Sequence, residues 1–112
     1  MNNKISEKRL TAEKTVVGSM LLNSGCILDV LSALTEAHFH NEEARAIFRA
    51  IRGIAGEHGM VDVVTVLQYL DDHPQCGSCS VQFMRQLMDE LPTSIYVLQH
   101  VQTLLTLQAD GQ

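Results

Sequence analysis

The segment NEEARAIFRAIRGIAG, residues 41–56, restricts the possible folds of this chain more than any other stretch. At about 100° per residue, its apolar side chains fall on one broad arc of a helix and its arginines on the opposite side. Asn41 can cap the first turn with its side-chain oxygen, and the two glutamates that follow meet the positive end of the helix dipole. Such a helix cannot bury its apolar stripe by itself, so other segments of the chain must cover it. We therefore expect a helical domain built around this segment.

The predicted apolar stripe of this central helix consists of Ala44, Ile47, Phe48, Ile51, Ile54 and Ala55. Gly53, Gly56 and Gly59 are expected to weaken and end the helix, since glycine disfavours helix interiors and favours their ends. Phe39, just before the cap, is expected to dock against the core and to fix the angle at which the chain enters the helix.

Five further segments have the apolar spacing of short helices, so the predicted fold class is all-α, a compact bundle of about six short helices. The predicted caps of four of these helices are Thr11, Asp62, Ser80 and either Thr93 or Ser94. The segment VDVVTV also has strand propensity, but no partner strand is evident, and a helix is the prediction. We expect residues 1–10 to be a frayed or disordered N-terminal segment, residues 11–108 a single helical domain, and residues 109–112 a polar tail.

Charge and hydropathy restrict the class of partner. The 112-residue chain carries 13 acidic and 8 basic residues, a net charge of −5, so it gains little from neutralising phosphates. We therefore expect a protein partner and no strong direct binding of nucleic acid. No apolar run approaches the length of about 20 residues that a membrane-spanning helix needs, and the N-terminus has no apolar core for a signal peptide. The sequence predicts a cytoplasmic protein with no membrane partner.

Motifs for catalysis and cofactor binding are missing from the sequence. None of the seven glycines is followed by lysine, so no P-loop is present, and the dinucleotide fingerprint GxGxxG does not occur. The sequence also contains no Gly-x-Ser-x-Gly nucleophile elbow and no His-Glu-x-x-His zinc motif. We therefore predict no catalytic residue, no cofactor, no metal site and no enzymatic activity in this chain.

Cys76 and Cys79 form a C-x-x-C motif, whose functional interpretation is half of a zinc site or a redox pair. A structural zinc site needs four ligands, and the nearest further candidate in the sequence is His73. A thioredoxin-like pair would need a βαβ context that the sequence does not provide. The simpler interpretation is that both are loop thiols kept reduced, because disulfides are rare in the cytosol.

A first candidate for protein contacts is the arginine stripe of the central helix. Arg45, Arg49 and Arg52 form the only concentrated group of basic residues, and their planar guanidinium groups suit carboxylate or phosphate partners. The stripe is therefore a candidate partner surface, and the simpler interpretation is an exposed charged helix face.

A second candidate is the last predicted helix, which carries more apolar residues than one core contact needs. Leu98, Val101 and Leu105 are therefore candidates for self-association into a dimer or a higher oligomer. A deeply buried terminal helix would explain the same composition equally well.

Four segments in the order of the chain carry a resemblance to a known family: AEKTVVGSMLL at 12–22, HFHNEEARAIFRAIRGI at 38–54, GMVDVVTVLQYL at 59–70 and, more weakly, LPTSIYVLQHV at 91–101. Together they resemble the N-terminal domain of DnaB-type replicative helicases. The first is similar to that family's Ala-Glu-x-x-Val signature, the second to its Ile-Phe-x-Ala run, and the third to its Pro-Ile-Asp element. The resemblance extends from about residue 12 to residue 107.

The sequence departs from the family's pattern at several positions. His40 stands where tyrosine is usual, Ala44 where histidine is frequent, and Met60 and Val61 where Pro-Ile is common. These departures indicate a divergent member of the family, of a phage or plasmid type.

The resemblance implies a compact head of about six helices that takes part in ring assembly and docks primase or a helicase loader. In full-length members of the family a helical hairpin and a RecA-like ATPase motor follow this head, and the sequence contains no such motor. The expected function is therefore that of a protein-interaction and assembly domain of a replicative DNA helicase.

Two alternative functions remain open from the sequence. One is the helicase-binding domain of a primase, whose helical architecture the family resembles, although the order of the segments favours the helicase. The other is a small nucleic-acid-binding regulator that uses helices three and four as a helix-turn-helix, with residues 57–61 as the turn. The fourth predicted helix contains no Lys or Arg, which is unfavourable for reading a DNA groove.

Overall fold

Six α-helices form the fold in the computed structural model, which describes residues 3–90 and 97–110, with side chains for residues 7–90 and 98–107. The helices are α1 (Asn3–Leu22), α2 (Ile27–Ala33), α3 (Glu42–Gly56), α4 (Val63–Asp72), α5 (Val81–Glu90) and α6 (Val97–Asp110). No strand occurs within the described ranges, so the predicted all-α bundle is confirmed. The α3 helix packs against α1 and α4, while α1 also lies along α6 and contacts α5.

The central helix α3 has the N-terminus that the sequence predicts. The side-chain oxygen of Asn41 accepts a hydrogen bond from the amide of Ala44 at 2.9 Å, and two glutamates occupy the first turn. Its buried residues are Ala44, Ala46, Ile47, Phe48, Ala50, Ile51 and Ile54. Ala55 is only partly buried, whereas two alanines outside the predicted stripe are covered, because helices pack on more than one side of α3. Phe39 is fully buried with its ring 4.6 Å from that of Phe48, which confirms its predicted docking.

The first helix differs from the prediction, because it begins at Asn3 and not at the cap predicted at Thr11. Polar composition suggested a frayed start, yet Arg9 is only 8% exposed and therefore packs against the body of the domain. This tertiary packing supplies the contacts that extend a helix beyond its local capping signal. The expected helix start was wrong for this reason, while the division of the chain into domains stays a prediction.

The predicted caps of α4 and α5 are confirmed. Asp62 accepts a hydrogen bond from the Thr65 amide at 2.8 Å, and the Thr65 hydroxyl accepts one from the Asp62 amide at 2.9 Å. This reciprocal pair is a capping box. The hydroxyl of Ser80 accepts the amide hydrogen of Phe83 at 3.0 Å at the start of α5. The cap predicted for α6, at residue 93 or 94, lies outside the described residues.

The C-terminus of α3 is closed by a residue other than glycine. The amide of Gly59 donates to the carbonyl of Ile54 at 2.9 Å, and the amide of His58 donates to that of Ala55 at 3.0 Å. These two bonds form a Schellman motif, whose left-handed position usually holds glycine. Here that position is His58, with φ of 60°. Gly53, which was expected to weaken the helix, lies inside it instead, where Tyr69 of α4 packs closely against the backbone.

None of the described helices is long and apolar enough by itself to cross a membrane. Among the described residues, one pair of helical segments reaches that length and composition together, and the two are bent by 115° relative to each other. The pair is Glu7–Leu22 and Ser24–Ala33.

Candidate functional site

The loop that carries the two neighbouring cysteines is docked on the first half of α3. The backbone amide and the hydroxyl of Ser80 both donate hydrogen bonds to Glu43, each at 2.8 Å. On the other side of the loop, Arg49 donates to the carbonyl oxygen of Cys76 at 3.0 Å. An open groove of about 550 Å³ lies between this loop and α3, and Arg45 also lines it.

The environment of Cys79 in this loop does not favour redox chemistry. Cys76 and Cys79 are both free and partly buried. Burial, with a smaller effect of the charge of Glu43, raises the pKa of Cys79 to about 12. The thiolate is the form that attacks disulfides, so this environment opposes a redox role of Cys79. Among the residues that the structure describes, no group of three or more His, Cys, Asp or Glu could hold a metal ion.

The arginine stripe is partly committed to a contact within the chain. The Glu36 carboxylate accepts hydrogen bonds from Arg49 at 2.9 and 2.7 Å and from Arg52 at 2.7 Å. The hydrogen bonds from Arg49, and then the one from Arg52, lower the pKa of Glu36. The pairing ties the short turn before α3 to the middle of α3. Sequence reasoning missed Glu36, because a single acidic residue in a linker carries no signal of where the linker lies.

The three apolar residues predicted for self-association have different environments on α6. Leu98 is 59% exposed, Val101 is 4% exposed and belongs to the core, and Leu105 is partly buried against it. Only Leu98 therefore presents most of its side chain to a second molecule. Val101 and Leu105 contribute to the core of this chain, as the alternative interpretation of a buried terminal helix expected.

A second apolar surface was not identified from the sequence. Leu28 on α2 and Met60, just after the end of α3, are 75% and 79% exposed, and both line an open groove of about 450 Å³. Leu28 lies in a short helix whose apolar spacing does not show which of its apolar residues stays exposed. The sequence distinguished Met60 only as a departure from the family's Pro-Ile pattern. Its exposure depends on the path of the chain after α3.

Comparison with known proteins identifies the family. The chain belongs to the family of DnaB-like helicase N-terminal domains, whose sequence pattern matches residues 5–106. Membership in this family confirms the resemblance and favours the helicase over the primase and the helix-turn-helix alternatives.

Individual relatives agree with this assignment. The chain is 29% identical over 93 residues to a probable replicative DNA helicase of Trieres chinensis, covering 80% of this chain and 20% of the relative. It is 37% identical over 62 residues to the replicative DNA helicase DnaB of Mycobacterium leprae, covering 55% of this chain and 10% of the relative. The chain thus spans about a fifth or less of the length of these relatives.

Solved structures show the same fold. The N-terminal domain of DnaB helicase from Mycobacterium tuberculosis superposes with a TM-score of 0.74 at 28% identity, covering 85% of this chain and 67% of that one. The corresponding domain from Helicobacter pylori, described with its interactions with primase, gives a TM-score of 0.72 at 16% identity, covering 99% and 91%.

Proposed function

We propose that this chain is a protein-interaction and assembly domain of a replicative DNA helicase. In this role it joins helicase subunits in the ring and docks primase or a helicase loader through non-covalent contacts. The observation that carries the proposal is the family match over residues 5–106, which includes nearly all of the helical fold. The chain itself performs no catalysis in this proposal, and it works in the cytoplasm without binding nucleic acid strongly.

The surface supports binding as the mode of action. Leu98 offers an exposed apolar side chain on α6, which suits contact with a second subunit. The arginine stripe of α3 suits an acidic partner, and Arg52 is its most exposed member, with about half of its side chain exposed. An acidic partner would have to share Arg49 and Arg52 with Glu36. A primase partner is also supported by the Helicobacter pylori domain, whose interactions with primase have been described.

Two measurements on the purified chain test the proposal. Light scattering after size-exclusion chromatography, up to about 100 µM, is expected to give a dimer or a higher oligomer, because weak interfaces have micromolar Kd values. The variant Leu98→Asp is expected to lower the mass, whereas Val81→Asp, which alters another exposed apolar residue on α5, should not. Calorimetric titrations with the primase and with the helicase loader encoded in the same genome are expected to show binding of at least one of them. A monomer at every concentration, combined with no binding of primase or of a loader, contradicts the proposal.

A further inference from the structure

The groove between the end of α3 and the start of α2 combines exposed apolar side chains with an acidic surrounding. Leu28 and Met60 are two of the three most exposed large apolar side chains among the described residues, and they line the same groove. Exposed apolar side chains gathered in one concave surface are typical of a binding site. Methionine is well suited to this role, because its flexible side chain adapts to different partners.

The carboxylates next in sequence to the groove residues give this part of the chain a negative charge. Asp29 follows Leu28, Glu57 precedes the groove residue His58, and Asp62 follows Val61. The C-terminal end of α3 adds the negative end of its dipole. No Lys or Arg occurs in residues 15–44 or 53–84, which include every segment that forms the groove. The basic residue that precedes them on α3, Arg52, is paired with Glu36.

Because acidic residues flank an apolar groove, a ligand of complementary charge would be basic and apolar on one face. We infer that the groove binds a basic amphipathic helix of a partner protein. Such a helix would place apolar side chains, spaced three and four residues apart, on Leu28 and Met60, and its Lys or Arg side chains toward Asp29 and Glu57. The inference rests on the proposed function, since it assigns one docking surface to that role.

A second copy of this chain fits the groove less well. The occupant needs several apolar side chains on one exposed face, with basic residues beside them. Among the described helices, only α1 exposes more than one large apolar side chain, and its Leu10 and Leu22 are about three turns apart. The arginines of α3 lie on a helix whose apolar stripe is buried. The described helices of this chain therefore offer no suitable ligand.

The test uses the 112-residue chain with synthetic peptides as probes. One peptide carries leucines at positions i, i+3, i+4 and i+7 with lysines elsewhere, a second replaces every lysine by glutamate, and a third scrambles the lysine peptide so that no apolar face forms. Fluorescence anisotropy measures affinity, and nuclear magnetic resonance of the backbone amides locates the bound peptide. We expect binding of the first peptide only, with shifts concentrated at residues 24–29 and 55–62.

Variants of the groove separate this site from general attraction to an acidic protein. The double variant Leu28→Ser/Met60→Ser should fold, because both side chains are mostly exposed, and should bind the lysine peptide about tenfold more weakly. Asp29→Asn/Glu57→Gln should weaken binding several-fold and reduce its salt dependence. Val81→Ser, a matched change at another exposed apolar residue, should leave binding unchanged.

Several results would overturn the inference. These are equal binding of the glutamate or the scrambled peptide, shifts located elsewhere, or an equal loss with Val81→Ser. A fall in oligomer mass caused by Leu28→Ser/Met60→Ser would assign the groove to a second copy and reject the partner helix. If these peptides fail to bind while primase still binds or the chain still assembles, the inference is wrong and the proposed function stands. If the unchanged chain neither binds primase or a loader nor assembles, the proposed function is wrong, whatever the peptides do.

Discussion

The carboxylate of Glu13, which is only 1% exposed, accepts the backbone amide hydrogen of Asn41 at 2.9 Å. Its other oxygen accepts the amide hydrogen of His40 at 3.0 Å. A buried carboxylate is stable in a fold when hydrogen bonds replace its lost hydration. Glu13 therefore fixes the residue that caps α3 to the middle of α1, and it gives a structural reason for the Ala-Glu pair at the start of the chain's resemblance to the helicase family.

Replacing this carboxylate should destabilise the whole domain. In Glu13→Gln the amide group can accept at one oxygen only, so one partly buried backbone amide loses its partner. We expect the free energy of unfolding in urea to fall by about 2 kcal/mol, since hydrogen bonds to charged groups contribute about 1.5–3 kcal/mol. Glu7→Gln, at an exposed position of the same helix, is the control and should change little. Equal stability of Glu13→Gln and the original chain would show that these bonds do not hold α3.

Two glycines of α3 should respond in opposite directions to the same substitution. A Cβ atom on Gly53 would overlap the hydroxyl oxygen of Tyr69, whereas one on Gly56 would meet nothing within 4 Å. Tyr69 cannot move aside freely, because its ring stacks on His73 at 3.9 Å. Gly53→Ala should therefore destabilise the domain by about 1–3 kcal/mol through overpacking. Gly56→Ala should stabilise it by up to about 1 kcal/mol, because alanine favours the helix. Thermal unfolding compares the two, and stabilisation by both would contradict the close packing of α4 on α3.

Glycine at the left-handed position after α3 should increase stability. His58 has φ of 60°, a conformation that costs side chains with a Cβ atom about 1–2 kcal/mol. We expect His58→Gly to raise the free energy of unfolding by about 0.5–1 kcal/mol, after allowance for the greater freedom of glycine in the unfolded chain. Glu57→Gly is the matched control, because Glu57 has φ of −94° and gains nothing from glycine. Urea unfolding should show the two variants on opposite sides of the original chain.

The stability that Glu36 contributes should depend on pH. Hydrogen bonds from Arg49, and then from Arg52, lower its pKa in the folded state. The contribution is therefore complete above the ordinary pKa of about 4.3 and is lost as the pH falls through the lowered value. We expect Glu36→Gln to reduce stability at pH 7 by less than about 1 kcal/mol, because the groups are partly exposed to solvent.

Urea unfolding of this variant at a series of pH values provides the measurement. The difference from the original chain should shrink as the pH falls below about 4, and it should vanish below the lowered folded-state pKa, where Glu36 is protonated in both states. Glu7→Gln again serves as the exposed control. A difference that is independent of pH would mean that the ion pairs with Arg49 and Arg52 are not its source.

Cys79 should be slow to react while the chain is folded. Burial raises its pKa to about 12, so very little thiolate is present at pH 8. We expect alkylation of Cys79 by iodoacetamide, followed by peptide mass spectrometry, to be more than tenfold slower in buffer than in urea. Rapid alkylation in the folded chain would restore the hypothesis of a reactive cysteine pair.

Features that depend on neighbours along the chain could be predicted from the sequence. The cap at Asn41, the reciprocal pair of Asp62 and Thr65, and the buried stripe of α3 all follow from contacts within one or two turns. Helical periodicity and side chains that bond backbone amides three residues ahead are local, so no knowledge of the tertiary fold is needed.

Features that join distant parts of the chain were decided by the tertiary structure alone. Glu13 accepts hydrogen bonds from His40 and Asn41, which lie 27 and 28 positions further along the chain. Glu36 accepts hydrogen bonds from two arginines that the sequence indicated as a candidate partner surface. The apolar residues of α6 divided between core and surface, and Leu28 and Met60 came together in one groove. Hydrophobic periodicity shows that a face will be buried, but the packing of the other helices decides which face remains open, because burial depends on every element that covers it.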